Sequence, residues 1–449
     1  MQIPFELLAI IQFSWIIAAL VWFLWRNDEI PIIATLIVFY YGSFRYFAVL
    51  QGWGAWCSMT NFGYSSITNE AALHALFLMV LGESILIATY FYFQKRPFTP
   101  VRSQITRDIC ERVLGPLWLF SLLGVAMLFG VRYYLSHQGS MGNGNAYDVG
   151  AYFYLLPLLL ISAAFILMIL VRFGRISTGS RLFSIAVLIT ILATSFETQG
   201  RFKFLALLII GVLLFTASYR SWQRLGLMFA GMAFAAAALA LAGSQRNERG
   251  TAERGQILDH FRKAEDVNMI DGFVFLLEVV PSRLPYRFGG GHMGILYRPI
   301  PRALWPDKPV DDYMLKAIGL DAKSGFTIGI SPSLFGDFYM EGGVIGLVLL
   351  SIGYGTLLAR ISRWAAGLHA FGGLAIRGMI CSSFALMLRG GDLPGVYAWL
   401  AMSYWPMLLV LLSPRGYLKK NSPWFVNPVR RPLRKQLRQS RHIPSDMPA

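Results

Sequence analysis

Charge is scarce in this 449-residue chain: 14% of it is Asp, Glu, Lys or Arg, against about a quarter in a soluble domain. With 55% hydrophobic residues and a mean hydropathy of +0.52, that shortage argues against the two or three soluble domains that length alone would suggest. It favours one membrane domain with an extramembrane insertion. Cysteine is scarce too. Cys57, Cys110 and Cys381 are too far apart for a disulfide framework or a Cys-x-x-Cys metal site. No His-Glu-x-x-His motif or aspartate cluster points to a metal, so neither a metal nor a cofactor is expected. The glycines Gly289–Gly291 are not followed by Gly-Lys-Ser/Thr, which excludes a phosphate loop. Met1–Leu8 has no basic leader and no Ala-x-Ala site follows, so the first apolar run is expected to stay as a membrane helix. No repeat of 20–50 residues is evident.

Long apolar runs are abundant. A spanning helix needs about 20 mostly apolar residues, and the sequence predicts about eleven: 5–25, 30–50, 71–93, 113–134, 151–171, 182–198, 202–219, 225–243, 333–358, 371–388 and 396–413. The expected architecture is an all-α polytopic membrane protein. Its parts are N-terminal membrane helices in 1–243, a large helical loop in 244–332, C-terminal membrane helices in 333–413 and a basic tail in 414–449. Lys and Arg are missing altogether from loops 51–70 and 135–150, while Lys95, Arg96, Arg102, Arg107, Arg112, Arg172, Arg175, Arg181, Arg220, Arg224, Arg360 and Arg363 fall on the other side. Positive loops face the cytoplasm. The expected N-terminus is therefore periplasmic, the tail cytoplasmic and the 244–332 loop periplasmic. The net charge of +16 reads as topology and contact with anionic membrane lipid, not as nucleic-acid binding. Within the loop, Phe273, Leu276, Leu277 and Val280 recur at helical spacing, which predicts short helices lying on the outer face. The Pro- and Arg-rich stretch 421–449 predicts disorder.

Four places on the expected outer side combine guanidinium, ammonium and carboxylate groups next to lipid: Glu197–Lys203, Tyr297–Pro309, Gly329–Gly343 and Arg389–Asp392. Arginine forks suit a lipid-borne diphosphate, and a carboxylate beside them suits proton abstraction from a sugar hydroxyl. The order Ile-Pro-Arg-Ala-Leu-Trp-Pro-Asp-Lys-Pro, then Ile-Ser-Pro-Ser, then Phe-Gly-Asp-Phe-Tyr-x-x-Gly-Gly-x-x-Gly resembles the Wzy-type oligosaccharide repeat-unit polymerases, the O-antigen polymerases. The Gly200-Arg201 turn and the late Arg-Gly-x-Asp are similar as well. The resemblance is specific only in 297–346. It implies a GT-C-like, metal-independent membrane glycosyltransferase without a cofactor. It also implies a polyprenyl-diphosphate-linked oligosaccharide as substrate, a chain-length-regulating co-polymerase as partner, and glycan growth at the outer face of a bacterial inner membrane.

The candidate diphosphate ligands are Arg201, Lys203, Arg298, Arg302 and Arg389, and the candidate acceptor bases are Asp337 and Glu341. Each has a plainer reading. Arg201 and Lys203 can snorkel from a helix end. Arg298 and Arg302 can serve loop solubility or headgroup contact, and Asp307 and Lys308 can neutralise each other. Asp337 and Glu341, four apart, can stabilise a helix N-terminus, and Asp392 is a structural partner for Arg389. Arg45 and Glu83 lie inside apolar runs, where a charge must face protein or water, and a mutual pair is plausible. Arg132 and Arg377 are expected to snorkel. His292 is a weaker candidate, although O-antigen ligases, which share the implied architecture, also use a loop histidine. Trp53, Trp56, Tyr133 and Tyr134 read as an interface belt. A ligase moving finished glycan to lipid A core or protein, a lipid-glycan flippase or transporter, and an assembly scaffold remain alternatives.

Overall fold

A computed structural model describes residues 4–57, 66–98, 101, 104–137, 155–195, 201–231, 233–234, 268–298, 300, 304–305, 309, 313, 316, 331–412 and 425–426. They are almost entirely helical. The helices are α1 (Phe5–Arg26), α2 (Ile30–Leu50), α3 (Asn69–Phe93), α4 (Arg107–His137), α5 (Leu159–Phe173), α6 (Thr178–Ser195), α7 (Arg201–Thr216) and α8 (221–231). They continue as α9 (Met269–Val279), α10 (Gly290–Tyr297), α11 (Ser333–Gly367), α12 (Ala370–Arg389) and α13 (Leu393–Leu412). Eight are long and apolar enough to cross a membrane: α1 to α6, α11 and α12, with α5 counted from Leu156. The chain thus has the character of an all-α transmembrane protein. Of the expected span 225–243, only 225–231 and 233–234 lie among the described residues. Two-residue strands, Gln104–Ile105 and Phe425–Val426, pair antiparallel, so this piece of the tail is ordered where disorder was expected.

Apolar burial falls in two parts. One is built on α1, α2, α3, α9, α11 and α12, and the other on α4 to α7 with α12; Ile380 packs against both. Apolar area alone does not drive helices together in lipid, so close backbone approach matters. A side chain at Gly355 of α11 would lie 2.5 Å from the Leu86 carbonyl of α3, and glycine is what lets these two helices touch.

Three tertiary features depart from the sequence expectations. First, α9 does not lie on a surface. Met269, Ile270, Asp271, Phe273, Phe275, Leu276 and Val279 are all buried, because the helix packs against α3 and α11. Second, α11 is broken at Gly342 and Gly343, where Gly343 takes φ +65. Phe335 and Leu347 both reach Gly82 of α3, and the rings of Phe338 and Tyr354 are 4.7 Å apart. Sixteen residues of straight helix would separate the last pair by about 24 Å, so the 333–341 half folds back against the 344–367 half.

Third, the intramembrane charges choose other partners than expected. Arg45 makes a bidentate pair with Asp271 of α9, Nη2–Oδ1 3.0 Å and Nε–Oδ2 3.2 Å, rather than reaching Glu83. Glu83 takes a hydrogen bond from Gln12 instead. Arg377 does not snorkel: it is 1% exposed and binds Glu29 at 2.7 Å. Arg224 holds the other Glu29 oxygen at 2.9 Å. Arg132, Tyr133 and Tyr134 have side chains outside the described set.

Candidate functional site

The half-helix 333–341 starts after Pro332 and ends at the glycine break. A helix end leaves carbonyls without partners, and here the 287–288 segment supplies two: the Arg287 N–H reaches Met340 O at 2.9 Å and the Phe288 N–H reaches Glu341 O at 3.0 Å. The chain then turns through Gly289, at φ +92, into α10. Amides at a helix N-terminus favour an anion, and here the anion is internal. The Gly289 and Gly291 N–H groups donate to the Glu341 carboxylate, the second at 3.0 Å. A side chain at Gly291 would meet Glu341 Oε1 at 2.5 Å and the Arg287 guanidinium at 3.1 Å. The glycine triplet is therefore an anion cradle after all, but for a carboxylate of the same chain.

His292 follows directly. Its Nδ1 lies 3.3 Å from Glu341 Oε1, and its Nε2 lies 3.1 Å from the Tyr354 hydroxyl. An ionised carboxylate only accepts, which places a ring proton on Nδ1; in the neutral imidazole Nε2 is then the acceptor. Tyr354 then donates to His292 and accepts from the Tyr397 hydroxyl of α13 at 2.6 Å. A four-membered line runs Tyr397, Tyr354, His292, Glu341, joining both halves of α11 to α10 and α13.

Cationic and acidic groups surround this line. The Arg287 guanidinium stacks 5.4 Å over Tyr313. Burial pushes the Tyr313 phenol up to about 12, so it stays a donor to Pro285 O at 2.6 Å. Arg298 ends α10 and lies 3.9 Å from Asp392. Asp392 also accepts the Gly395 N–H at 3.1 Å, which caps α13; its ion-pair partner in the structure is Arg298 rather than the expected Arg389. Arg389 is the last residue of α12. The Gly390-Gly391 turn after it has both φ values positive, and the Gly391 N–H donates to Asp337 Oδ2 at 2.8 Å.

Of the sequence candidates, Asp337, Glu341, Arg298 and Arg389 thus gather around the α11 break. Glu341 stands at the end of its half-helix, not at an N-terminus as the plain reading supposed, and is occupied in holding His292. Lys203 stands half-buried on α7, which packs against α12. The Arg201 side chain and all of Arg302, Asp307 and Lys308 lie outside the described residues. Sequence reasoning missed Arg287, Tyr354 and Tyr397. Arg287 stood two residues before the glycine triplet, but nothing in the sequence marked the tyrosines. Among the described residues no cluster of three His, Cys, Asp or Glu could hold a metal ion.

Neither a curated protein nor a solved structure matches the chain. A family profile does match, over residues 180–415, a stretch that holds α9 to α13 and every residue of the site above. The chain belongs to the family described as Domain of unknown function (DUF8712).

Proposed function

We propose that this chain is a membrane glycosyltransferase that moves a glycan from a polyprenyl diphosphate to a hydroxyl of a second lipid-linked repeat unit, as an oligosaccharide repeat-unit polymerase does. The observation that supports it most is the Glu341–His292 pair, set against the Arg287 guanidinium at the break in α11. Glu341 fixes the imidazole tautomer, which leaves Nε2 as base. The acceptor hydroxyl gives up its proton to His292, through Tyr354 or in its place. The acceptor oxygen forms a bond to the anomeric carbon as the bond from that carbon to the diphosphate oxygen breaks. Polyprenyl diphosphate leaves as an anion, met by Arg298, Arg389 and Arg287, with Arg201, Lys203 and Arg302 as further candidates. In this reading Glu341 is a positioning residue, and Asp337 orders the 390–391 turn.

The same reading takes about eleven spans in a GT-C-like arrangement, with the basic end cytoplasmic and the site at the outer face of a bacterial inner membrane. The partners are a polyprenyl-diphosphate-linked oligosaccharide, membrane lipid and a chain-length-regulating co-polymerase.

A second reading rests on the α11 break. Discontinuous helices mark the substrate sites of transporters, which favours a lipid-glycan flippase or transporter. One assay separates the readings. Protein is placed in liposomes with a lipid-diphosphate oligosaccharide. Longer lipid-linked products support the polymerase. Transfer that needs added lipid A core makes the chain a ligase. Movement of intact substrate without new products defeats the transferase reading.

A further inference from the structure

Glu83 lies roughly midway along α3 and is 1% exposed. Its Oε2 accepts from Gln12 Nε2 of α1 at 2.6 Å. Gln12 Oε1 in turn accepts from the Ser43 hydroxyl at 2.5 Å and from the Ser43 N–H at 3.4 Å. Ser43 sits in a π-turn, Tyr40–Phe44, within α2; such turns loosen a helix locally and recur at functional positions. Gly42 beside it lies against the Gln12 amide and the Leu76 side chain.

The second carboxyl oxygen of Glu83 is buried and has no hydrogen-bond partner among the described residues. Among the charged groups of the packed elements, Glu278 stands at the C-terminal end of α9, and Arg360 and Arg363 stand in the last turns of α11, well past Leu347, which reaches Gly82. Arg45 of α2 and Asp271 of α9 hold each other. On α11, Asp337 takes the Gly391 N–H and Glu341 takes His292. On α1, Glu6 and Arg26 lie at the helix ends. An ionised carboxylate in such a place lacks both water and a counter-charge.

We propose that Glu83, Gln12 and Ser43 form a proton-binding site within the membrane domain, with the proton carried on Glu83 at neutral pH. The amide of Gln12 suits this task, since its oxygen and nitrogen can exchange places by a half-turn. With Glu83 protonated, its hydroxyl donates to Gln12 oxygen, and the Gln12 N–H donates to Ser43. With the proton gone, the amide takes the orientation described above, its nitrogen donating to the carboxylate and its oxygen accepting from Ser43. The site is independent of the transferase reading, because it shares no residue with the His292 line.

The test is infrared difference spectroscopy on the full chain in liposomes, with carbon-13 glutamate as probe. At pH 7 the wild type should show a carboxylic-acid carbonyl band that moves with the isotope. Glu83→Gln should lose that band, Gln12→Leu should shift its frequency, and sodium chloride should leave it unchanged. Should Glu83→Gln fail to assemble, the wild-type isotope shift and the Gln12→Leu spectrum decide the matter. No glutamic-acid band at pH 7 overturns the proposal. So does a band that sodium abolishes, which would make this a metal-ion site, or one whose frequency ignores Gln12→Leu.

Discussion

Two polar clusters sit at opposite ends of the bundle and are built differently. At the basic end, Glu29, Arg224 and Arg377 are sealed: each is at most 1% exposed, and both Glu29 oxygens carry an arginine. Asn27 adds two more acceptors, its side chain to Arg224 and its carbonyl to Arg377. At the other end, the His292 side chain is 26% exposed, and Arg298 and Asp392 are 34% and 46% exposed. The first cluster is charge-paired and shut to solvent, as a structural fastening must be. The second is ordered by backbone amides yet open, as a site that exchanges substrate must be. Buried charge alone is therefore no guide to a site; the proposed function rests on charge that is positioned and still reachable.

The contrast predicts opposite phenotypes. His292→Ala should lower glycosyl transfer by about 10²–10⁴-fold, with stability changed by only about 1 kcal/mol; equal transfer rates in the liposome assay would remove His292 from the chemistry. Arg377→Met strips one partner from a buried pair, and should cost about 3–5 kcal/mol in detergent unfolding. Activity per folded molecule should be kept, and a selective loss of turnover would break the division between the clusters.

Asp28, next to the sealed cluster, sharpens the comparison through pH. Burial raises its carboxyl to about 6, opposed by the Tyr90 hydrogen bond. A raised acid stabilises the fold fully below the ordinary value of 3.8 and loses that contribution as pH rises through about 6. Asn cannot accept all three donors, Tyr90, Trp22 and the Ile30 N–H. Asp28→Asn should therefore be the less stable protein at pH 4. The gap should narrow by up to about 3 kcal/mol by pH 7, and a gap that is constant in thermal melts would contradict this. The smallest effect is expected for Tyr397→Phe, which removes the outermost donor of the line. It should cost about 1 kcal/mol of transition-state stabilisation, less than tenfold in rate. A loss as large as that of His292→Ala would make Tyr397 a direct participant.

Much of the helical scaffold was legible because apolar runs of membrane length have few other uses: the expected 30–50 and 71–93 spans fall on α2 and α3 almost to the residue. Legibility failed where one residue type serves two ends. Phe273 and Leu276 show helical spacing whether one face of α9 is covered or all of them. Arg377, seven residues into an apolar run, looks the same whether it snorkels or meets Glu29, 348 positions away. At the site, Asp337 and Glu341 stood out as acids beside lipid, but their roles depended on which amides approached them.

The sequence by itself determined that this chain builds membrane-length helices, that one end of the bundle is basic, and that acids and arginines stand together at four places scattered along the chain. Those follow from local composition, since twenty apolar residues in lipid must satisfy their own backbone. Only the tertiary structure decided that 333–341 folds back, that α9 is swallowed by the bundle, and that His292 lies between Glu341 and Tyr354. These are long-range contacts, set by the glycines Gly343 and Gly291 that let backbone meet side chain, and no periodicity along the chain encodes which partners meet.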